Sequence, residues 1–406
     1  MECRNCSNQN IKLIHNFGEM PIANELIKDS VIESPTYPLE FYICFDCGLG
    51  QVKDTVDPDY LFSDYRYTSS ASSTFSKHAR SFVNRLFENE ILKSGDFVVE
   101  IASNDGYLLK HFNEKSVEIL GVEPARNIAL VANENGIPTL NVFFGANTAR
   151  KIKTEKGTPR VIIANNVLAH VPNLHDFMDG IKILMDDETL LSVENPSIMN
   201  LLLDDQFDTI YHEHYSYLSV NVISQLCRSH GMKLIDVEHI ETHGGSLRYW
   251  IVDETSQIEA HKSVEILLKS EISNGLFDEN AWSAFSERIS TTLIEFKNWL
   301  ENIYENNGIV CGFGAAAKAS TLLNSANIDH SKIKVIADNG VEKQGYFMPI
   351  GKIPIVKPSE LLIQRPTDLV IFPWNVATEI AKEIGTLFEN NINIWTVVPE
   401  IQKVEF

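Results

Sequence analysis

Hydrophobic and polar positions alternate in blocks from about residue 75 onward, and these blocks predict helices and strands in turn. The amphipathic stretch FSKHARSFVNRLFENEIL precedes the apolar strand DFVVEI, which runs into the polar loop ASNDG. The apolar runs EILGV, RVIIA and LLSVE follow the same scheme, and each is succeeded by polar residues. Strands that alternate with helices form a parallel, doubly wound sheet, whose ligand lies beyond the carboxyl ends of the strands.

A second α/β unit is predicted after a charged helical stretch at about residues 255–307. That stretch contains SVEILLKSEISNG and FSERISTTLIEFKNWLENIYENN, shows no obvious chemistry, and is interpreted as linker helices between domains. Beyond it, the apolar runs GIVCGFG, KVIADN, DLVIFPWN and INIWTVVP predict further strands. The chain is therefore expected to hold two α/β units that are similar in architecture only.

Length and charge narrow the functional classes. A chain of 406 residues is long enough for two or three domains, each with its own core. Its 34 basic and 55 acidic residues give a net charge of −21, which repels polyanions, so nucleic acid is not expected as a partner. The sequence has neither an apolar run of roughly 18 residues nor an apolar signal-peptide core, which predicts a cytoplasmic protein without a membrane anchor.

Four of the six cysteines form two pairs with metal-ligand spacing, Cys3-x-x-Cys6 and Cys44-x-x-Cys47. In a reducing compartment such pairs indicate a metal site rather than disulfides. Four thiolates make a closed, structural zinc site. The spacer of 37 residues between the pairs must form strands and a loop of its own. Cys227 and Cys311 are interpreted as buried apolar residues.

Two loops that follow strands carry candidate ligand chemistry. Glu123 ends the second strand of the first α/β unit, where an acid normally holds a ribose hydroxyl pair. The loop before it, EIASNDGYLL, keeps only Gly106 and is acidic, so it favours a cationic adenosine cofactor without phosphate, such as S-adenosylmethionine. The other loop, Gly312-x-Gly314-x-x-Ala317 with Asp338 ending the next strand, matches a dinucleotide fingerprint and is the basis of a rival NAD hypothesis.

The stretch DTIYHEHYSYLS at residues 208–219 is unusually rich in proton-handling groups. It is compatible with a metal site using His212 and His214, with a general acid/base site, or with a polar turn that satisfies its own backbone. The metal hypothesis lacks the second histidine four residues further on that a zinc-protease helix needs.

Several blocks together resemble one family. YRYTSSASS, VEIASNDGYLL, GVEPARN, ANNVLAHVPN, ENPSIMNLLLDDQFDTIYHEHYSYLS, HGGSLRYW and CGFGAAAKASTLLN, with the N-terminal cysteine pairs, resemble S-adenosylmethionine-dependent sugar C-methyltransferases that act on nucleotide-linked ketodeoxysugars. The resemblance runs nearly end to end. It implies a zinc-binding domain at 1–70, a Rossmann-like methyltransferase domain at 71–255, and linker helices with a C-terminal Rossmann-like nucleotide-sugar domain at 256–406. Ala102 and Ser103 depart from it, because many relatives have glycine in that loop.

The resemblance also implies roles for individual residues. His214 is expected to remove the sugar C-3 proton, while Tyr211 and Glu213 orient the sugar and stabilise the enediolate. Tyr65 or Tyr67 is expected to donate a hydrogen bond to the same oxygen. The cofactor-binding residues are expected to be Glu100, Asn104, Asp105, Glu123, Asn165, Asn166 and His170. Substrate contacts are expected from His243, Arg248, Gly314 and Lys318.

The leading hypothesis is thus a monomeric enzyme that methylates C-3 of a nucleotide-linked 4-keto-deoxysugar and uses S-adenosylmethionine and structural zinc. Two other hypotheses stay open on the sequence. One is an NAD-dependent oxidoreductase built on the Gly312 loop. The other is a non-catalytic zinc-knuckle interaction protein, for which the dense Tyr/His/Glu cluster would have no purpose.

Overall fold

The computed structural model describes residues 1–53, 56–63, 73–240, 244–389 and 391–405. Within residues 73–240, side chains are described from residue 76 onward. Within these ranges the strands form three sheets. Among the described residues, no helix is long and apolar enough to cross a membrane. The predicted α/β class is confirmed, with a small antiparallel sheet preceding two mainly parallel ones.

The N-terminal sheet is antiparallel and has the order β1-β2-β3-β9. Its strands are β1 Ile11–Pro21, β2 Thr36–Cys44, β3 Gly50–Val52 and β9 Ser216–Tyr217. The last strand comes from the middle of the chain, where it pairs Tyr217 with Gly50 and Ser216 with Gln51. The histidine-rich stretch is therefore built into the sheet that carries the cysteine pairs.

The central sheet has seven strands in the order β10-β11-β8-β7-β4-β5-β6. These strands are β4 Phe97–Ile101, β5 Glu118–Val122, β6 Thr139–Leu140, β7 Val161–Asn165, β8 Leu190–Pro196, β10 Met232–Ile240 and β11 Ser246–Asp253. Strands β4 to β8 are parallel, β11 runs antiparallel to β8, and β10 runs antiparallel to β11. All five residues of β4 are buried, as expected for a strand covered on both faces.

Helices before and between these strands supply the outer layers and connections. They are α1 Pro58–Phe62, α2 Ser73–Glu88, α3 Leu109–Asn113, α4 Arg126–Glu134, α5 Ala146–Lys156, α6 Leu174–Leu184, α7 Ile198–Leu203 and α8 Val220–Ser229. Helix α8 begins directly after the histidine-rich stretch because Ser219 accepts a hydrogen bond from the Val222 amide. The buried carboxylate of Glu271 accepts hydrogen bonds from Val220 N and Asn221 N, which fixes the start of α8 just after β9.

The C-terminal sheet has six strands in the order β14-β13-β12-β15-β16-β17, parallel except for β17. Its strands are β12 Val310–Phe313, β13 Ile336–Ala337, β14 Ile355–Val356, β15 Asp368–Ile371, β16 Asn393–Thr396 and β17 Gln402–Lys403. The remaining helices are α9 Lys262–Ser273, α10 Glu279–Glu305, α11 Ala317–Ser325, α12 Leu361–Gln364 and α13 Ala377–Leu387.

The stretch interpreted as linker helices does more than connect domains. Helix α10 buries Trp282 and Phe285, whose ring centroids lie 5.9 and 6.4 Å from that of Phe41 in β2. The helix therefore forms part of a core shared with the N-terminal sheet. Its charged appearance in the sequence comes from the exposed face of an amphipathic helix.

Candidate functional site

A cavity of about 1570 Å³ opens where the three sheets meet. Its floor is formed by the carboxyl ends of the parallel strands β4, β5, β7 and β8, as predicted for this fold class. Asn24 and Leu26 contribute a wall from the N-terminal unit, and Lys318 and Trp374 contribute one from the C-terminal unit. Pockets for one small molecule usually measure roughly 300–1,000 Å³, so this cavity has room for two ligands.

One end of the cavity is acidic. The carboxylate of Glu123 lines it and accepts hydrogen bonds from Asn104 N at 3.0 Å and Ala125 N at 2.9 Å. Burial raises the pKa of Glu123. Glu100 is 1% exposed beneath this loop, and its pKa is raised well above the usual range by burial and by the charges of Asp105 and Glu123. Carboxyl groups gathered in this way favour a cationic ligand.

The backbone of the first loop is strained at Ala102. Ala102 has φ +55° and Asn104 has φ +51°, both in the left-handed region. Asparagine tolerates that region, whereas alanine has a Cβ that disfavours it by about 1 kcal/mol.

We therefore expect Ala102→Gly to stabilise the protein by about 0.5 kcal/mol, because relief of strain exceeds the added entropy of the unfolded chain. Urea unfolding of the purified protein measures this change. Ala284→Gly in the interior of α10 is the matched control and should destabilise by about 1 kcal/mol. Equal destabilisation by both substitutions would contradict the assigned strain.

Amide side chains end the two strands next to this acidic region. Asn165, Asn166 and Asn195 all line the cavity, and Asn166 has φ +53°. Asn165 Oδ1, Asn166 Oδ1 and both amide atoms of Asn195 are buried without a hydrogen-bond partner. Asn195 was not predicted from the sequence, although it ends an apolar strand in the same way as Asn165. Buried amides normally have partners, so these groups indicate a ligand position.

His214 faces the cavity with a defined tautomer. Its Nδ1 lies 3.0 Å from the carbonyl oxygen of Thr209, which can only accept, so Nδ1 carries the proton. Its Nε2 lies 2.9 Å from the hydroxyl of Tyr211 and accepts that hydrogen bond. Tyr211 also lines the cavity, and its ring centroid is 4.1 Å from that of His214. The Nε2 lone pair of His214 is thereby directed towards the tyrosine at the cavity wall.

His170 supports this arrangement from the neighbouring strand end. Its Nδ1 donates to the carbonyl oxygen of Glu213 at 2.6 Å, and its ring centroid is 4.7 Å from that of His214. Burial lowers the pKa of His170 to about 4, so the ring is neutral near pH 7. The ring of Phe62 packs edge-on against it at 5.5 Å.

The other polar groups of the stretch bind the N-terminal unit. Glu213 Oε1 accepts from the backbone and side-chain nitrogens of Asn24 at 3.2 and 3.1 Å, whereas its Oε2 is buried without a partner. His212 Nε2 lies 3.3 Å from the carbonyl oxygen of Tyr37. His212 and His214 thus have different partners, and the four cysteines are the metal-ligand cluster found among the described residues. The hypothesis of a metal site at these histidines is not supported.

A half-buried lysine forms the C-terminal wall. Lys318 Nζ donates to Asn375 Oδ1 at 2.8 Å and lies 3.8 Å from the centroid of the Trp374 ring. Burial lowers the pKa of Lys318 to about 8, against the attraction of Asp208. Asp208 in turn accepts from Trp374 Nε1 at 2.8 Å. Gly314, with φ +90°, does not line the cavity but allows the loop to pass Pro373 closely.

The structure places Arg248, which was predicted to contact the substrate, inside the central sheet and outside the lining of the cavity. Its guanidinium is 3% exposed, is ion-paired with Glu194 and stacks over Phe82 at 4.4 Å. Glu194 also bonds His78, so the arginine neutralises a buried acid within the sheet and does not line the cavity. The predicted residues Tyr65, Tyr67 and His243 lie outside the described residues.

The NAD hypothesis finds no support in the Gly312 loop. The carboxylate of Asp338, which would hold a ribose, accepts from Ala315 N and Gly340 N at 2.7 Å each and does not line the cavity. Lys343 Nζ also lies 3.3 Å from it. This acid therefore holds its own loop together.

The predicted zinc ligands come together in the N-terminal unit. The Sγ atoms of Cys3, Cys6, Cys44 and Cys47 all lie within 4.8 Å of one another. Cys3 Sγ is 3.4 Å from Cys47 Sγ, and Cys6 Sγ is 3.6 Å from Cys44 Sγ. Tetrahedral zinc with bonds of about 2.3 Å to sulfur needs sulfur atoms roughly 3.8 Å apart, so the cluster fits zinc as a closed structural site.

Comparisons with known proteins agree with this architecture. Family models match in three consecutive parts, which are a zinc binding domain at residues 3–62, a methyltransferase domain at 73–237 and a C-methyltransferase C-terminal domain at 241–399. The C-methyltransferase NovU of Streptomyces niveus is 32% identical over 401 residues, which are 98% of this chain and 96% of NovU.

Solved structures give weaker likenesses. The magnesium protoporphyrin IX methyltransferase of Synechocystis PCC 6803 with bound SAH has a TM-score of 0.36 and 13% identity, over 44% of this chain and 83% of that one. A protein from Pyrococcus horikoshii OT3 has a TM-score of 0.36 and 13% identity, over 49% and 96%. The assignment rests instead on the end-to-end match to NovU and the three family models. The chain belongs to the S-adenosylmethionine-dependent C-methyltransferases with an N-terminal zinc-binding domain.

Proposed function

We propose that this enzyme methylates C-3 of a nucleotide-linked 4-keto-deoxysugar, with His214 as the general base. The observation that carries the proposal is the tautomer of His214, whose Nδ1 donates to Thr209 O and whose Nε2 is left as the acceptor at the cavity wall. Carbon methylation needs a carbanion equivalent, and a proton α to a ketone is acidic enough for a histidine to remove.

Tyr211 is placed to stabilise the charge that then develops. Its hydroxyl and His214 Nε2 are 2.9 Å apart, so a ketone oxygen and the neighbouring C–H can replace their mutual hydrogen bond. The hydroxyl would then donate to the enediolate oxygen while Nε2 holds the abstracted proton. Glu213 does not line the cavity, so we propose that it orients the sugar through Asn24, a lining residue that donates to its carboxylate. Tyr65 or Tyr67 is proposed as a second donor to the enediolate.

The acidic end of the cavity is proposed to hold the cofactor. When bound, S-adenosylmethionine supplies an electrophilic methyl group attached to a cationic sulfur. Glu123 would accept from the ribose hydroxyls, and Asn104, Asp105, Asn165, Asn166 and His170 would surround the rest, with Glu100 buried beneath the loop that they share. Burial, and after it the neighbouring carboxylates, raise the pKa of Glu100, and a cationic ligand in this region would lower the repulsion from those carboxylates.

We expect Glu123→Gln to weaken S-adenosylhomocysteine binding roughly 10- to 100-fold, because charge-assisted hydrogen bonds to the carboxylate are lost. Calorimetric titration measures the affinity. Glu118→Gln, at the exposed start of the same strand, is the matched control and should bind normally. Unchanged affinity in Glu123→Gln would remove this residue from the cofactor site.

The diphosphate is proposed to bind at the wall formed by Lys318, with the Gly314 loop next to it. Burial makes this ammonium poorly hydrated, and a pKa of about 8 means that it is charged near pH 7 and neutral at higher pH. An anion binds only the charged form, so affinity falls as pH rises through that value.

We expect the KM for the nucleotide sugar to rise towards about tenfold per pH unit above pH 8, because the binding cation is then lost. Steady-state kinetics from pH 7 to 10 measure this dependence. Lys318→Met should start with a high KM that no longer follows this profile, whereas Lys382→Met, on the exposed face of α13, should behave as the unmodified enzyme. The same pH profile in Lys318→Met would contradict the assignment.

The direct test offers the enzyme ¹³C-methyl-labelled S-adenosylmethionine with 4-keto-deoxysugars linked to thymidine or guanosine diphosphate. We expect the label in a new carbon–carbon bond at C-3, which NMR detects through one-bond carbon coupling. Label on oxygen or nitrogen, or turnover of none of these substrates by enzyme that binds S-adenosylhomocysteine, would refute the proposed substrate.

A further inference from the structure

Arg4 joins the zinc site to the segment that carries His214. It stands between the ligands Cys3 and Cys6 in the first knuckle. One guanidinium nitrogen donates to the carbonyl oxygen of Tyr215 at 2.5 Å, and the other donates to that of Val52 at 3.2 Å. The sequence does not reveal either partner, because 211 positions separate Arg4 from Tyr215 and 48 positions separate it from Val52.

These contacts lie where the segment that carries His214 enters the N-terminal sheet. The Tyr215 carbonyl also accepts from Val52 N at 3.2 Å, so the guanidinium and the end of β3 bind the same oxygen. The guanidinium carbon lies 5.6 Å from the centroid of the Tyr215 ring. The planar arginine fork therefore fixes both the backbone and the ring of the residue next to His214.

The knuckle holds Arg4 in turn. Arg4 N donates to Gln51 Oε1 at 2.9 Å, and Gln51 Nε2 donates to the carbonyl oxygen of Glu2 at 3.2 Å. Gln51 is 1% exposed and pairs with Ser216 in β9. A chain of hydrogen bonds thus runs from the cysteine knuckle through Arg4 to the residues on the C-terminal side of the base.

We propose that Arg4 is a positioning residue that carries the geometry of the zinc knuckle to His214. This inference rests on the proposed role of His214 as the base. Arg4 does not line the cavity, so it acts on the reaction through the backbone of Tyr215 and not by touching either substrate. The zinc knuckle and the base are coupled in this enzyme through the hydrogen bond that the Arg4 guanidinium donates to the Tyr215 carbonyl oxygen.

The test compares Arg4→Met with Arg4→Lys and with Arg150→Met, a control at an exposed position in α5. We expect Arg4→Met to keep its zinc, measured by atomic absorption, and to bind S-adenosylhomocysteine within twofold of the unmodified enzyme. Amide hydrogen exchange in residues 209–217 should become roughly 10- to 100-fold faster, because charge-assisted hydrogen bonds are lost. The kcat should fall by a similar factor at unchanged KM for S-adenosylmethionine, with partial recovery in Arg4→Lys.

Other outcomes separate this inference from the proposed function. If Arg4→Met loses zinc, or if exchange in residues 209–217 stays at the control rate, Arg4 does not position the base. Arg4→Lys, which keeps the charge, decides the question by the same exchange measurement if Arg4→Met does not fold. The exchange readout needs no turnover, whereas loss of the base assignment would appear only as retained turnover in His214→Asn.

Discussion

His214→Asn is expected to lower turnover roughly 100- to 10,000-fold, the range for loss of a general base. Asparagine keeps a donor near the Thr209 carbonyl, which His214 Nδ1 binds at 3.0 Å, so the segment should stay in place. The lone pair at Nε2, which accepts from Tyr211, is removed. Methyl transfer from labelled S-adenosylmethionine measures the loss, and the affinity for S-adenosylhomocysteine should remain within twofold.

The matched control is His239→Asn, at an exposed position in β10. It changes the same atoms in a residue that does not line the cavity and should leave turnover unchanged. A second readout is exchange of the sugar C-3 proton with solvent in the presence of S-adenosylhomocysteine, which should stop in His214→Asn. Turnover of His214→Asn at the rate of the unmodified enzyme would show that another group removes the proton.

Cys44→Ser is expected to release the zinc and abolish turnover while the central sheet stays folded. A structural zinc site contributes on the order of 10 kcal/mol to the fold that holds it, because its ligands are not assembled in the unfolded chain. The N-terminal sheet includes Ser216–Tyr217. If this sheet unfolds when the zinc is released, the segment that carries His214 is displaced. Zinc content, amide exchange of residues 11–52 and methyl transfer are the three measurements.

Cys311→Ser is the control for this prediction. Cys311 is fully buried in β12, outside the zinc cluster, and burial raises the pKa of its thiol to about 11. Cys311→Ser should lower the free energy of unfolding, because it buries a hydroxyl in an apolar environment. The variant should retain its metal and its turnover. Normal activity in a zinc-free Cys44→Ser enzyme would show that the metal does not support the catalytic segment.

Local features of the sequence were sufficient for strands β4, β5, β7 and β8 of the central sheet and for the zinc ligands. Apolar runs such as VIIAN form strands wherever both faces are covered, and their polar ends meet at one edge of a parallel sheet. This placed Glu123 and Asn165 at the cavity in advance. The paired cysteines were equally predictable, because each C-x-x-C pair is a local unit with metal-ligand spacing.

The sequence did not reveal the partner of a polar residue where that partner is distant along the chain. Arg248 resembled a substrate contact in the sequence. In the structure its guanidinium forms an ion pair with Glu194 in the neighbouring strand of the sheet. No motif or spacing in the sequence indicated a role for Asn24, although this residue lines the cavity and donates to Glu213. The choice of partner for a charged group depends on which strands become neighbours, and hydrophobic periodicity does not contain that information.

The sequence alone determined the fold class, the four zinc ligands, and the concentration of proton-handling groups at residues 208–219, because these depend on residue type and local spacing. The tertiary structure decided how those groups are used. Pairing of Ser216–Tyr217 with Gly50–Gln51 joined the stretch to the zinc-bearing sheet, and the Thr209 carbonyl selected the tautomer of His214. These are contacts between segments that meet only when the chain folds, and the direction of a lone pair follows from such contacts.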